Sequence, residues 1–205
     1  MASEQHASAG PWRMVAASNA ITYAAIAGGL VALWGAFVRA DIAIAGIAIA
    51  AAVVADTFDG AFARRFERSP LERAFGAQLD SLADAVVSGA VPPLVLLALT
   101  GGGSAGLWVA AFAWMVAVVT RLGYYDITAS DNGGFTGLPA PVASLVVATA
   151  LLWNPGDLAA AVLLTVLAAA MCSGVRIPRP RGRGLVTFAL WPVVVMVLHA
   201  MRMGW

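Results

Sequence analysis

Residues 41–63 read DIAIAGIAIAAAVVADTFDGAFA. Between Asp41 and Asp56 every side chain is Ala, Ile, Gly or Val, so no polar residue alternates with the apolar ones as on a half-buried strand, and no polar stripe marks a water-facing helix. A helix over the stretch is about 33 Å long at about 1.5 Å per residue, enough to cross a hydrocarbon core about 30 Å thick. In lipid the backbone must satisfy its own polar groups, which leaves a membrane-spanning helix as the reading. That helix carries two acids three residues apart near its end.

Working outward, the chain repeats the pattern. Of its 205 residues 61% are hydrophobic and 11% charged, and the mean hydropathy is +0.85; a soluble domain holds roughly 45–50% apolar residues. Apolar windows run over about 15–38, 41–63, 76–99, 105–125, 138–153, 157–174 and 185–201. The fold class expected is all-α: a polytopic transmembrane helical bundle of six core helices plus one C-terminal helix. Residues 1–12 read as a flexible cytoplasmic tail and 13–205 as a single transmembrane domain. The first window can serve as its own insertion signal, so no cleaved leader is expected. Pro139 and Pro141 at the start of the fifth window suggest a tilted or irregular beginning.

All twelve basic residues are arginines. If the spans alternate, Arg13, Arg64, Arg65, Arg68, Arg73, Arg121, Arg176, Arg179, Arg181 and Arg183 fall on one side, and only Arg39 and Arg202 on the other. The positive-inside rule then puts the N-terminus and the Arg-rich loops in the cytoplasm and the C-terminus outside. The location expected is the inner (cytoplasmic) membrane, multi-pass. A net charge of +1 gives no sign of nucleic-acid binding, while its asymmetry suits anionic headgroups. The single cysteine, Cys172, has no disulfide partner and reads as a small buried apolar residue.

Against this background four acids stand out: Asp56 and Asp59 in the second window, Asp80 and Asp84 in FGAQLDSLADAVVSGA of the third. An ionisable group in the hydrocarbon region costs several kcal/mol on most scales, so intramembrane carboxylates mark function. Residues three or four apart share a helix face, and a short loop makes the two helices antiparallel neighbours, so all four carboxylates can converge. Bare, they would repel; an oxygen-rich cluster is stable around a hard cation such as Mg²⁺, Ca²⁺ or Mn²⁺. Gly60 and Ala63 share the face of Asp56 and Asp59, and Gly76 lies one turn before Asp80, letting a substrate approach the backbone. Arg64 adds a permanent cation with a fork for phosphate oxygens. Metal, arginine and small residues together describe a pyrophosphate pocket.

The string Asp56-Thr-Phe-Asp59-Gly60-Ala-Phe-Ala63-Arg64, followed by Gly76-Ala-Gln-Leu-Asp80-Ser-Leu-Ala-Asp84, resembles the signature D-x2-D-G-x2-A-R-(linker)-G-x3-D-x3-D of the CDP-alcohol phosphotransferases, with all eight defining residues present. The linker from Arg65 to Phe75 holds 75 − 64 = 11 residues, longer than usual in the family, and includes Pro70 in a charged loop. The resemblance implies transfer of a phospho-alcohol group from a CDP-alcohol to an acceptor hydroxyl with release of CMP, by a metal-dependent and commonly homodimeric enzyme. It implies that Asp56, Asp59 and Asp80 hold Mg²⁺ or Mn²⁺ and that Asp84 is the general base with some ligand character. Asp56, Gly60, Ala63, Arg64 and Gly76 would line the CDP site, which would open towards the cytoplasm. Asn19 and Thr22 in the first window resemble a family feature near the nucleotide; a polar cap and a threonine bonded back to its own helix are the alternative.

FGAQLDSLADAVVSGAVPP, Arg121-Leu122 and FTGLPAPVAS resemble the phosphatidylserine synthases more than the glycerol-phosphate or inositol-phosphate branches. CDP-diacylglycerol and L-serine are therefore the expected substrates; phosphatidylinositol-phosphate or phosphatidylglycerol-phosphate synthesis is the alternative. Arg121 is a candidate for the acceptor or for a lipid phosphate, and equally for a topological anchor. A transporter would spread its carboxylates along a through-path in repeated halves, and no repeat is visible.

Overall fold

A computed structural model describes residues 10–128, 134–178 and 183–203. Each apolar window holds a helix: α1 Ala20–Phe37, α2 Ile42–Ala63, α3 Pro70–Thr100, α4 Ala105–Thr128, α5 Ala140–Ala150, α6 Asp157–Met171 and α7 Arg183–Met203. The chain is an all-α membrane helical bundle. Helices α1 to α4 are long and apolar enough to cross a membrane, whereas the apolar parts of α5 to α7 are shorter. Residues 1–9 of the expected tail, together with Arg179 and Arg181, lie outside the described residues; Pro11–Met14 and Ala17–Asn19 form 3₁₀ turns leading into α1.

Local chemistry sets the helix ends. Asp41 caps α2, its carboxylate accepting from the Ala43 and Ile44 N–H groups at 2.8 and 3.1 Å. Helix α3 starts at Pro70, earlier than the apolar window, because Ser69 and Glu72 form a reciprocal capping box and Pro70 takes the first helical position. Residues 70–75, read from sequence as loop, are thus helical, and the extra length of the linker is spent on two turns of helix. With 31 residues, α3 is about 46 Å long at about 1.5 Å per residue, so its charged first turns outreach the hydrocarbon core. Pro139 and Pro141 sit at the N-cap and in the first turn of α5, where a missing N–H is harmless, so they start the helix and do not disrupt it.

One irregularity lies in the middle of α3. Pro92 and Pro93 cannot donate to the preceding turn, and residues Ala85–Ala90 relax into a π turn. The Ser88 carbonyl that Pro92 leaves without its helical donor accepts instead from the Trp114 indole N–H on α4 at 3.0 Å. Trp114 is fully buried, so the bond also ties α3 to α4 at the centre of the bundle.

Helix α2 packs against α1, α5 and α7 and forms the bundle's axis. Lipid is as apolar as leucine, so helix association relies on close packing, and small residues serve it. Ala45, Ala48, Ala50 and Ala52 of α2 are all buried. A side chain at Gly46 would collide with the buried His199 ring of α7, whose Nε2 lies 2.9 Å from the Ala148 carbonyl of α5. Ile49, Leu96, Leu107, Leu145 and Leu164 fill the core.

On one face, Gly134–Thr136 pairs antiparallel with Arg176–Pro178, joining the α4–α5 connection to the α6–α7 connection. Both connections therefore lie on the same side, as alternating spans require. Gly137, at φ +70°, turns the chain into α5, and its N–H bonds the Val175 carbonyl at 2.8 Å. Cys172 corrects the sequence reading: it is exposed, not buried, because α6 ends at Met171 and Cys172 is the residue just past the packed turn.

Candidate active site

The last turns of α2 carry Asp56 and Asp59, and α3 returns antiparallel with Asp80 and Asp84. One oxygen each from Asp56, Asp59 and Asp80 lie within 4.8 Å of one another. Across the helix pair, Asp84 lies beside Asp56 and Asp80 beside Asp59. Among the described residues no arginine forms an ion pair with the four. Converging carboxylates with no ion pair among the described residues fit a hard divalent cation, whose charge would offset their repulsion. The tight set holds three aspartates; Asp84 adjoins it through Asp56.

Helix α1 supplies the wall. The Thr22 hydroxyl donates to Asp59 Oδ2 at 3.0 Å, so Thr22 serves the acidic cluster and not its own helix. Asn19, 5% exposed, donates from Nδ2 to the Met14 carbonyl at 3.2 Å, and its Oδ1 lies 3.5 Å from where a Cβ on Gly76 would stand. Neither is the simple cap that the sequence left open: Asn19 occupies the N-cap position of α1 without capping it.

Small residues and arginines border the acids. Arg64 is the exposed C-cap of α2, and its Nη1 lies 3.7 Å from the place of a Gly60 Cβ, so the guanidinium folds back beside the aspartate face. Ala63 is buried at 7% exposure. Arg68, which the sequence offers only as an anchor, brings Nη1 within 3.0 Å of where a Gly76 Cβ would lie. Both glycines thus leave room that arginine side chains approach from the solvent end.

Arg121 on α4 is 8% exposed, which does not suit a headgroup anchor. Its guanidinium lies over the Tyr125 ring, 4.8 Å from the centroid, and within electrostatic reach of Asp84. Asp126, absent from the sequence reading, accepts a hydrogen bond from the Ser81 hydroxyl at 3.1 Å, next to Asp80. Nothing in the sequence near Asp126 singles it out: an acid at the end of an apolar helix is usually a surface group, and only the packing of α4 on α3 brings it to the cluster.

The family model described as CDP-alcohol phosphatidyltransferase matches residues 15–175, which include every residue of this cluster. Archaetidylserine synthase of Methanothermobacter thermautotrophicus is 28% identical over 138 residues, 66% of this chain and 58% of that protein. CDP-diacylglycerol–serine O-phosphatidyltransferase of Mycobacterium bovis is 34% identical over 135 residues, 62% of this chain and 46% of that protein. The protein of the same name from Mycobacterium leprae is 36% identical over 106 residues, 48% of this chain and 34% of that protein. The chain spans about half the length of the curated relatives it matches.

Proposed function

Since the chain belongs to the CDP-alcohol phosphatidyltransferase family, we propose that it transfers a phosphatidyl group from CDP-diacylglycerol to the hydroxyl of L-serine, giving phosphatidylserine and CMP. The observation that carries the reading is the convergence of Asp56, Asp59 and Asp80, with Asp84 against Asp56, inside an apolar bundle. The serine-linked activities for which the relatives are named favour serine as the acceptor.

In this reading Asp56, Asp59 and Asp80, with Asp84 at the edge, hold Mg²⁺ or Mn²⁺, which would neutralise the pyrophosphate and stabilise the departing CMP phosphate. The protein's own groups do the rest. Thr22 fixes the Asp59 carboxylate through its hydroxyl. Arg64 offers a bidentate fork to the phosphate oxygens, and Gly60, Ala63, Gly76 and Asn19 shape the CDP site around it. Asp84 accepts the proton of the acceptor hydroxyl as its oxygen bonds the lipid-side phosphorus and the bond from that phosphorus to the CMP oxygen breaks. Arg121 lies on the Asp84 side and faces the acceptor.

Residues 13–205 would act as one membrane domain in the inner membrane, as a homodimer, with the site open to the cytoplasm. The test is CMP release from CDP-diacylglycerol by purified protein, comparing L-serine, inositol phosphate and glycerol phosphate, with and without chelator. Serine-dependent release abolished by EDTA and restored by Mg²⁺ or Mn²⁺ is expected. Preference for either phosphorylated acceptor would move the protein to the phosphatidylinositol-phosphate or phosphatidylglycerol-phosphate branch, and undiminished release under chelation would remove the metal.

A further inference from the structure

Two contacts set the register of α4 on α3: Ser81 with Asp126, and Ser88 with Trp114. The helices are antiparallel, so Arg121, between Trp114 and Asp126, falls opposite Asp84, between Ser88 and Ser81. One helix thus presents a cation at the level of Asp84 and an anion at the level of Asp80. Beyond the Tyr125 ring and the nearby Asp84 carboxylate, no hydrogen bond or ion pair holds the cation among the described residues: Arg121 is 8% exposed, and its Nε is buried without a hydrogen-bond partner. The Tyr125 ring holds the guanidinium from one face, leaving its in-plane donors to point at an anion. The anion is held too, by the Ser81 hydroxyl.

We propose that Arg121 and Asp126 form a charge-matched clamp for the zwitterion of an amino-acid acceptor, Arg121 taking the α-carboxylate and Asp126 the α-ammonium, with the hydroxyl turned to Asp84. The proposal rests on the serine reading above and supplies its specificity. The offset of five positions along α4 is an axial rise of about 7.5 Å. Five positions also turn the helix by about 140°, so the two charged heads meet one amino acid by converging on the α3 face, where Ser81 holds Asp126 and Arg121 comes within reach of Asp84. Asp126 is the discriminating half, because a phosphorylated alcohol would bring an anion to a site where a carboxylate waits, and like charges repel. Ser81 is a positioning residue, acting through the orientation it gives Asp126.

The experiment uses the full chain with CDP-diacylglycerol and Mn²⁺, and measures KM for L-serine, for L-glycerate (no ammonium) and for ethanolamine (no carboxylate). In the unaltered protein serine should outperform both analogues by at least about tenfold, the scale of one charge-assisted hydrogen bond. Asp126→Asn should raise KM for serine by about 10- to 100-fold while KM for CDP-diacylglycerol moves less than about threefold, and should erase the preference for serine over L-glycerate. Asp126→Glu should recover part of the serine affinity. Arg121→Gln should erase the preference for serine over ethanolamine. An unaltered protein that accepts the analogues as well as serine overturns the clamp without any variant, which covers an Asp126→Asn protein that fails to fold. Equal losses for all three acceptors and the CDP-lipid would make Asp126 a brace between α3 and α4 and also overturn it. If the unaltered protein rejects serine in favour of a phosphorylated acceptor, it is the serine reading that has failed; serine turnover with an indifferent Asp126→Asn variant fails the clamp alone.

Discussion

Asp84 and Asp59 carry the same carboxyl group at different places, and their environments separate their tasks. Asp59 belongs to the set of oxygens within 4.8 Å of one another and is held by Thr22, whereas Asp84 lies at the edge of that set, against Asp56, and within reach of Arg121. Asp84→Asn should keep metal-dependent binding of CDP-diacylglycerol while turnover falls by about 10²–10⁴-fold, as for a lost general base. Asp59→Asn should weaken metal and CDP-lipid binding together, since a charged ligand is lost. The measurement is CDP-lipid affinity across a metal titration, beside turnover; equal loss of binding in both variants would make Asp84 chiefly a ligand. Arg64 is the second case. Lysine keeps the charge but not the fork, so Arg64→Lys should lower turnover by at least about tenfold, the worth of one charge-assisted hydrogen bond. Full activity would reduce Arg64 to a topological anchor.

At the scale of the element, α3 depends on a repair made from outside it. The Ser88 carbonyl, which Pro92 cannot reach with an N–H, is bonded across the helix pair by Trp114, and a buried polar group stripped of its partner costs about 1–3 kcal/mol. Trp114→Phe keeps an aromatic ring but removes the donor, and should lower the thermal midpoint in detergent by about 2–12 °C, at about 2–4 °C per kcal/mol for a chain of this size. Activity should fall as well, because the π turn begins at Ala85, directly after Asp84. An unchanged midpoint would mean that the carbonyl finds another donor. The prolines, the aspartates and the apolar run were all legible in α3 from sequence, but the π turn was not, since the length of chain that a proline pair displaces depends on which neighbour takes up the freed carbonyls.

For the whole molecule, the question is which side of the membrane the site faces. The β ribbon places the α4–α5 and α6–α7 connections together, and the α2–α3 connection shares their side if α1 to α4 all cross. With Cys172 replaced by serine, Glu67→Cys and Gly103→Cys report opposite faces; Gly103 has open space for a side chain. A membrane-impermeant maleimide added to intact cells should label Gly103→Cys and spare Glu67→Cys, and the reverse pattern would invert the topology. The helices, their number and the clustering of the acids were decided by the sequence alone, because a segment in lipid must close its own hydrogen bonds and because carboxylates at helical spacing cannot avoid one another. What sequence could not supply was the company those residues keep. Thr22 reaches Asp59 across 37 positions of chain and Ser81 reaches Asp126 across 45, Cys172 is exposed because α6 stops one residue short of it, and Arg121 is buried against the other helices. Each of these is settled by the angle and register at which two helices pack, which depends on the fit of many side chains at once and leaves no local signal in the residues that end up touching.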